Sequence, residues 1–231
     1  MARDMTKGRI LPQMTAFAIP LILGNLFQIL YTATDSIIVG KFVGDDALAA
    51  VGTAGPIMNM AILFISGMCM GAGILMSTLY GAKDMKNLEK QISTTLIGGL
   101  VFSLLIAFLM IVFAVPILRL INSPEEIIGS AAIYLRVVFL GLIFTFVYNF
   151  LANTLRALGD SRTPLYFLVI SAFLNVAGDL LFVVTLKLGV MGSAVATVLS
   201  EALCCVCCGI YVKLKVPVLC LGKRWRVFER R

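Results

Sequence analysis

The uncharged run at 91–118, QISTTLIGGLVFSLLIAFLMIVFAVPIL, decides the structural class of this protein. A helix needs roughly 20 apolar residues to cross the hydrocarbon core of a bilayer, and this run is longer than that. Other segments of sufficient length are the uncharged runs 10–34, 47–82 and 137–155 and, each interrupted by one acid, about 163–186 and 188–212. We therefore predict an all-α, polytopic membrane bundle of six transmembrane helices, in which 47–82 forms one long helix.

The composition of the 231-residue chain supports this class. Hydrophobic residues make up 60%, charged residues 13%, and the mean hydropathy is +1.02. Soluble proteins have about 45–50% apolar and about 25% charged residues. The chain contains no histidine, which removes the usual general base and the usual metal ligand. Soluble classes and histidine-dependent enzymes are thereby excluded.

The net charge of the chain is +7, and its Lys and Arg residues are concentrated in a few segments outside the apolar runs. Most of the cationic residues, 15 of the 19 Lys and Arg, lie in the segments 1–9, 83–90, 156–162 and 213–231. The remaining four are Lys41, Arg119, Arg136 and Lys187. Because short loops rich in Lys and Arg stay in the cytoplasm, we predict a multi-pass protein of the cell inner (plasma) membrane with both termini cytoplasmic. The basic residues then serve as topology signals, and we expect no nucleic-acid partner.

Glycines and cysteines are interpreted as packing residues. Gly67 and Gly71 have GxxxG spacing, and Gly98-Gly99 narrow the third helix, so close helix contacts are expected there. The six cysteines are Cys69, Cys204, Cys205, Cys207, Cys208 and Cys220. Adjacent residues on a helix point about 100° apart, so the CCVCC run is not expected to converge on one ion. Palmitoylation and metal binding are the alternatives.

Three acids lie inside the predicted spans and are the most informative residues. An ionised acid at the bilayer centre costs about 2.5–3.5 kcal/mol on insertion scales. Each acid must therefore face a water-filled cavity, contact a partner or take up a proton. Helical spacing aligns polar residues with each acid, as in the sets Gln28, Tyr31, Thr32 and Asp35; Ser171, Asn175 and Asp179; and Ser193, Thr197 and Glu201. Bundled together, these faces predict an oxygen-rich pocket within the membrane.

This pocket would suit a small cation. Carboxylate, amide and hydroxyl oxygens without sulfur or imidazole fit a hard ion such as Na⁺, and a buried carboxylate also takes up a proton. Interhelical hydrogen bonds are the structural alternative: they suffice for Ser171 and Ser193 and stay open as an explanation of Thr197, but they do not offset buried charges at Asp35 and Asp179. Glu201 lies nearer the predicted cytoplasmic side and stays undecided. The arrangement favours an ion-coupled carrier over an enzyme.

Three segments resemble the multidrug and toxic compound extrusion (MATE) family. They are IPLILGNLFQILYTATDSIIVGKFVGDDALAAVG at 19–52, NTLRALGDSRTPL at 153–165 and NVAGDLLFVVTLKLGVMGSAVATVLSE at 175–201. The resemblance runs from about residue 10 to 215, with Leu180 where the common form has proline. It implies a six-transmembrane N-terminal lobe at 1–215 and, at 216–231, a basic cytoplasmic tail similar to the connection between lobes.

The resemblance implies cation-coupled (Na⁺ or H⁺) antiport that exports drug-like, often cationic organic compounds by alternating access. It implies no enzyme activity, and no cofactor beyond Na⁺ as a possible coupling ion. The matching cation-binding positions are Asp35, Asn175, Asp179 and Thr197. Pro20 matches a proline that kinks the first helix and in some members is proposed to bend with protonation. The cavity-lining positions matched are Gln28, Tyr31 and Asn153.

Family members have twelve helices in two lobes, so the resemblance implies a second six-helix lobe or a second copy as partner. The bilayer and a small organic substrate are the other expected partners. Two rival functions stay open, a lipid-linked saccharide flippase of the same wider superfamily and a non-transporting half-length membrane assembly subunit. An intramembrane enzyme would have to use Asp35 with Asp179 as an aspartyl dyad, and neither acid lies in a protease-like motif.

Overall fold

The computed structural model describes residues 10–215, which form seven α-helices and one short π-helical segment with no strand among them. The predicted tail at 216–231, with Cys220, lies outside the described residues. The helices are α1 (Ile10–Phe42), α2 (Asp45–Gly81), α3 (Met85–Leu120), α4 (Glu125–Leu140), α5 (Leu142–Ala157), α6 (Arg162–Asp179) and α7 (Val190–Lys215). The π-helical segment, Leu180–Thr185, continues α6.

Six membrane spans result from these helices. By length and composition, α1, α2, α3, α7 and the continuous stretch of α6 with the π-helical segment are each able to cross a bilayer. The sixth span is the pair α4 and α5, which meet at Gly141 with a bend of 46°. The prediction of an all-α bundle of six spans is confirmed, and the run at 47–82 lies in one helix as expected.

The fourth span differs from its prediction in extent and shape. The uncharged run 137–155 predicted a span that begins beyond Arg136, whereas the bent pair covers 125–157. Arg136 therefore lies about three turns into α4. Its side chain is exposed, and its Nε donates a hydrogen bond to the carbonyl of Ile111 at 3.4 Å. The helix extends beyond the uncharged run because it continues through a charged residue whose long side chain reaches outward.

The apolar surface is that of a protein surrounded by lipid. Along α3 the exposed side chains include Val101, Leu104, Leu105 and Phe108, each more than half exposed. The interior holds fully buried aromatic and aliphatic residues, among them Phe139 and Phe146. Large apolar residues on both the inside and the outside of a helical bundle are typical of membrane proteins. The chain is a multi-pass membrane protein.

The helices form two packed groups that meet at α7. In the first group, α6 packs against both α1 and α7. In the second group, α4 and α5 pack against α2 and α3, and both of them also contact α7. This arrangement places the predicted polar faces of α1, α6 and α7 next to one another.

The glycine prediction is correct at one of its four positions. A Cβ atom added at Gly99 would lie 2.1 Å from the Phe146 ring, so α3 and α5 approach closely there. At Gly67, Gly71 and Gly98, an added Cβ would meet nothing within 4 Å. The GxxxG pair therefore makes no helix contact within residues 10–215, and the expectation of close packing there was wrong for this part of the chain.

The cysteines lie mostly in the interior of the bundle. Cys69, Cys204 and Cys208 are buried, Cys205 is half-buried and Cys207 is exposed. The Cys204 thiol donates to the carbonyl of Phe167 at 3.3 Å. Within residues 10–215, no three Cys, Asp or Glu side chains converge as a metal site would require. The interpretation as packing residues fits the buried members of the set.

Asp160 caps the start of α6 and provides a test of local stability. Its Oδ1 accepts hydrogen bonds from the backbone of Arg162 at 3.2 Å and Thr163 at 3.1 Å, and its Oδ2 accepts one from the Thr163 hydroxyl at 2.7 Å. We expect Asp160→Ala to cost about 1–2 kcal/mol, because a lost cap leaves these donors unsatisfied. The apparent Tm of the purified chain should fall by roughly 2–8 °C. An unchanged Tm would show that the cap adds nothing to the stability of the span.

Candidate cation site

Asp35 on α1 lies in the interior of the bundle, with 5% of its surface exposed. The hydroxyl of Ser193 on α7 donates a hydrogen bond to its Oδ1 at 2.6 Å. A hydroxyl bonded to a carboxylate stabilises the charge and holds the side chain in place. This contact joins the first and last spans directly, across 158 residues of sequence.

Asp179 is the last residue of α6 and is fully buried. Neither of its carboxylate oxygens accepts a hydrogen bond from any residue in the described part of the chain. Its carboxyl group lies within hydrogen-bonding reach of Asp35, although two carboxylates are both acceptors and need a shared proton to bond. A buried acid without a donor is costly unless a cation or proton neutralises it.

The backbone around Asp179 changes from α-helical to π-helical geometry at the next residue. The N–H of Leu180, the residue that stands where the resembled family commonly has proline, donates to the carbonyl of Val176. In the π-helical segment the Thr185 hydroxyl donates to the Leu180 carbonyl at 3.2 Å. Single π-helical turns inside longer helices frequently occur at functional sites. This turn places Asp179 at a break in the regular helical ladder.

Asn175 and Thr197 complete the arrangement. The side-chain amide of Asn175 on α6 donates to the Thr197 hydroxyl on α7 at 3.1 Å. The Asn175 carbonyl oxygen, Oδ1, is buried and receives no hydrogen bond from the described residues. Asn175 lies four residues before Asp179, so both side chains face the same side of α6.

These residues fit a small hard cation. At this site three buried oxygens lack a donor among the described residues, namely the two of Asp179 and Oδ1 of Asn175. Asp35 and Asp179 form no ion pair with a Lys or Arg side chain of the same residues. Because buried carboxylates are normally paired, these two need a cation or a proton to balance their charge. Oxygen atoms of carboxylate, amide and hydroxyl groups are the ligands that small hard cations prefer.

The other predicted site residues are more scattered. Pro20 is buried within α1, which continues past it as one helix. Tyr31 is half-buried and lies one helical turn before Asp35 on α1, whereas Gln28 is exposed. Asn153 lies at the contact of α5 with α2, where its amide donates to the Asn149 carbonyl at 2.9 Å. The structure thus brings the four predicted cation residues together but leaves Gln28 and Asn153 apart from them.

The sequence placed Ser193 on the polar face of its helix and explained it by interhelical hydrogen bonding, but it did not include Thr145 in any site. Ser193 contacts Asp35 directly, and its spacing of four residues from Thr197 was the signal that placed it on the same face. Thr145 on α5 donates its hydroxyl hydrogen bond to Oε2 of Glu201 on α7. No periodicity in the sequence links these two residues, because they belong to different spans.

The MatE family profile matches residues 20–181, which is more than half of the chain. The chain belongs to the MatE family. It is 34% identical over 204 residues to the probable multidrug resistance protein YpnP and 36% identical over 201 residues to the probable multidrug resistance protein YoeA, both of Bacillus subtilis (strain 168). The alignments cover 87% and 84% of this chain, and 45% and 43% of YpnP and YoeA.

Solved structures show the same fold. A MOP superfamily transporter from Pyrococcus furiosus Vc1 (DSM3638) superposes with a TM-score of 0.82 at 28% identity, over 89% of this chain and 45% of that one. The chain therefore matches one lobe and spans a little under half the length of its relatives. Members of the family are transporters rather than enzymes, which removes the support for an intramembrane enzyme.

Proposed function

We propose that this chain forms the cation-binding lobe of an antiporter that exports drug-like organic compounds in exchange for Na⁺ or H⁺. The observation that carries the proposal is the pair of buried carboxylates, Asp35 and Asp179, which has no cation from the described residues and in which neither oxygen of Asp179 accepts a hydrogen bond from them. In a purely structural role, the two buried charges would only destabilise the fold. In a transporter, an ion that binds and leaves neutralises these charges in one conformation and exposes them in another.

In the proposed cycle, the ion neutralises the pair and relieves the repulsion between the two carboxylates. The contacts among α1, α6 and α7 then favour a different arrangement from the one favoured by the empty, charged pair. Pro20 removes one backbone hydrogen bond from α1 and lowers the cost of bending that helix. Coupling requires only that the ion and the substrate bind preferentially to different arrangements of the same helices.

A substrate cavity between two lobes would be completed by a second six-helix lobe, in the same or another polypeptide, or by a second copy of this chain. The proposal is supported by the length of the relatives, of which this chain spans a little under half. The proposed topology has both termini in the cytoplasm, because the basic segments then lie on that side. In this topology, the lipids of the bilayer surround the exposed apolar side chains.

The rival functions receive less support from the arrangement of charges. A flippase for lipid-linked saccharides would need cations in its cavity to hold a pyrophosphate group, whereas the interior of this lobe carries acids. Arg136 is the cation furthest into a span, and its side chain is exposed on α4. An assembly subunit without transport activity would have no use for buried, unpaired carboxylates.

The test is ion-driven export of ethidium from proteoliposomes that contain the transporter assembled from this chain. We expect Asp35→Asn to lower export driven by a Na⁺ or proton gradient at least about 100-fold, because the bound ion then lacks one of its counter-charges, and removing one partner of a buried ion pair costs about 3–5 kcal/mol. Asp46→Asn is the matched control, since Asp46 is an exposed acid in the first turn of α2. Ion-driven export that survives intact in Asp35→Asn would refute the proposed function.

A further inference from the structure

Arg136 is a cation on the apolar outer surface of the bundle. It lies on α4, its side chain is exposed, and its Nε donates to the Ile111 carbonyl of α3 at 3.4 Å. The exposed residues that share its face of α4 are Ile133, three residues before it, and Leu140, four residues after it. On α3, Phe108 lies about one turn from Ile111 and is also exposed. A permanently charged group thus lies in a groove between two helices, flanked by apolar side chains that face lipid.

The depth of Arg136 in the membrane follows from the nearby helix ends. The exposed ion pair of Arg119 with Glu125, at 3.4 Å, marks where the turn between α3 and α4 meets water. Ile111 lies eight residues before Arg119, which is about 12 Å along α3. Arg136 lies eleven residues after Glu125, which is about 17 Å along α4. Because the headgroup region of one leaflet is about 5–8 Å thick, the backbone of Arg136 lies inside the hydrocarbon core.

The side chain of Arg136 is directed back toward the headgroups. Side chains of an α-helix tilt toward its N-terminus, and α4 begins at the turn that follows α3. The Ile111 carbonyl that accepts from Nε points toward the C-terminus of α3, which ends at the same turn. Long cationic side chains near a membrane boundary extend in this way toward the polar region. The guanidinium therefore lies near the level of the lipid phosphates on that side of the membrane.

The guanidinium of Arg136 has free donors and no counter-charge among the described residues. Of its N–H groups, only the one on Nε has an acceptor in the part of the chain that the structure describes. No Asp or Glu side chain of that part forms an ion pair with Arg136. The bond from Nε holds the group in place and leaves both terminal nitrogens free to bind. Because an uncompensated cation at this depth is costly, a negative group from the surroundings is expected there.

The occupant of this groove must be both anionic and apolar. The planar fork of guanidinium N–H groups matches the oxygens of a phosphate, and the flanking apolar side chains match acyl chains. A soluble anion has no acyl chain, and a zwitterionic lipid brings its own cation to its phosphate. We propose that the groove between α3 and α4 binds an anionic phospholipid, with its phosphate on Arg136 and an acyl chain between Ile133 and Phe108. In the proposed topology this lipid belongs to the outer leaflet, and its binding is independent of the proposed cation site.

The experiment places a fluorescent reporter in the groove and measures which lipid lies against it. Phe108→Trp, in a chain whose single tryptophan is removed by Trp225→Phe, is reconstituted in proteoliposomes as part of the assembled transporter. The same transporter without the reporter supplies the background fluorescence. Quenching by phosphatidylglycerol and by phosphatidylcholine, each brominated in its acyl chains, gives the relative association constant of the two lipids. We expect phosphatidylglycerol to be favoured about fivefold, as for one cation close to anionic lipid.

Three variants in the reporter background identify the group that selects the lipid. Arg136→Gln should abolish the preference, so that the two lipids quench equally. Arg136→Lys retains the charge but not the planar fork, and it should keep a preference of about two- to threefold. Arg119→Gln is the matched control, because it removes a cation from the same side of the membrane where Glu125 already balances that charge. Its preference should equal that of the unmodified reporter protein.

Inorganic phosphate in the buffer should leave the quenching by phosphatidylglycerol unchanged, because it lacks acyl chains. A loss of the preference on its addition would assign the groove to a free anion and overturn the lipid site. Equal association of the two lipids in the unmodified reporter protein, or a preference that survives Arg136→Gln, would overturn it as well. Absence of quenching by either lipid would show that protein covers the groove instead. A monodisperse elution profile shows that each variant is folded, and none of these results affects the proposed function, which depends on Asp35.

Discussion

Asp179→Asn is expected to raise the apparent Tm of the purified chain in sodium-free buffer. The Asp179 carboxylate is fully buried, lies beside Asp35 and accepts no hydrogen bond from the described residues. The amide has nearly the same shape but carries no charge, and it supplies an N–H donor toward the Asp35 carboxylate. Burying an unpaired charge costs several kcal/mol, so we expect a gain of at least about 1–3 kcal/mol. The corresponding rise is roughly 2–12 °C.

The same variant should lose all stabilisation by the coupling ion. An ion that binds only the folded chain stabilises it by about 2.7 kcal/mol at one hundred times its Kd. In the unmodified chain, this corresponds to a rise in apparent Tm of roughly 5–11 °C when Na⁺ is added at that level. A higher Tm of the unmodified chain in Na⁺ than in K⁺, at equal ionic strength, identifies Na⁺ as the coupling ion. Equal Tm values in the two salts favour the proton.

Asp46→Asn is the control for these measurements, because it removes one acid from an exposed helix start. It should leave both the Tm in sodium-free buffer and the response to the ion unchanged. Because membrane proteins often unfold irreversibly in detergent, all variants are compared at one heating rate. A lower Tm in sodium-free buffer for Asp179→Asn, or a full response to Na⁺ in that variant, would contradict the assignment of Asp179 to the ion.

Gly99→Ala is expected to destabilise the bundle strongly, although it adds only one methyl group. The added Cβ would lie 2.1 Å and 2.2 Å from two carbons of the Phe146 ring. Phe146 is fully buried and stacks on Phe150 at 6.1 Å between ring centroids, so the ring must shift against its packed neighbours. Overpacking costs about 1–3 kcal/mol and occasionally more, and we expect the upper end of that range. The apparent Tm should fall by roughly 6–12 °C.

The neighbouring glycine provides a matched control in the same helix. An alanine Cβ at Gly98 would meet no atom within 4 Å, and alanine favours a helix over glycine by about 1 kcal/mol. Gly98→Ala should therefore keep or raise the Tm, although the chemical change is the same. The double variant, in which Phe146→Leu is added to Gly99→Ala, has a smaller side chain opposite the new methyl group. It should recover part of the Tm lost in Gly99→Ala. Equal effects of the two alanines would show that α3 does not approach α5 at Gly99.

Much of the site could be predicted because acids are rare and costly within membrane spans. Asp35 and Asp179 stood out against long apolar segments, and helical spacing then selected Asn175 and Thr197 on the same faces. The structure brings these four residues together. The partner of Glu201 could not be predicted in this way, because Thr145 lies in another span and carries a small neutral side chain.

The extent of the fourth span and the contacts of the glycines were predicted less well. An uncharged run marks the part of a helix that must lie in lipid, but Arg136 shows that the helix itself continues further. Glycine spacing marks a face on which another backbone is able to come close. It does not say that one does, and Gly67 and Gly71 have open space within the described residues. In both cases a local sequence pattern shows only what is allowed at a position, and the tertiary structure decides what forms there.

The sequence by itself determined that this chain spans a membrane six times and which side of each helix is polar. These properties are local, since the bilayer admits only apolar helices of a certain length and helical periodicity sets the face of each residue. Only the tertiary structure decided which faces meet, placing Asp35 against Ser193 and Asp179, and Glu201 against Thr145. Those choices depend on how α1, α5, α6 and α7 fit against one another, and no single helix contains that information.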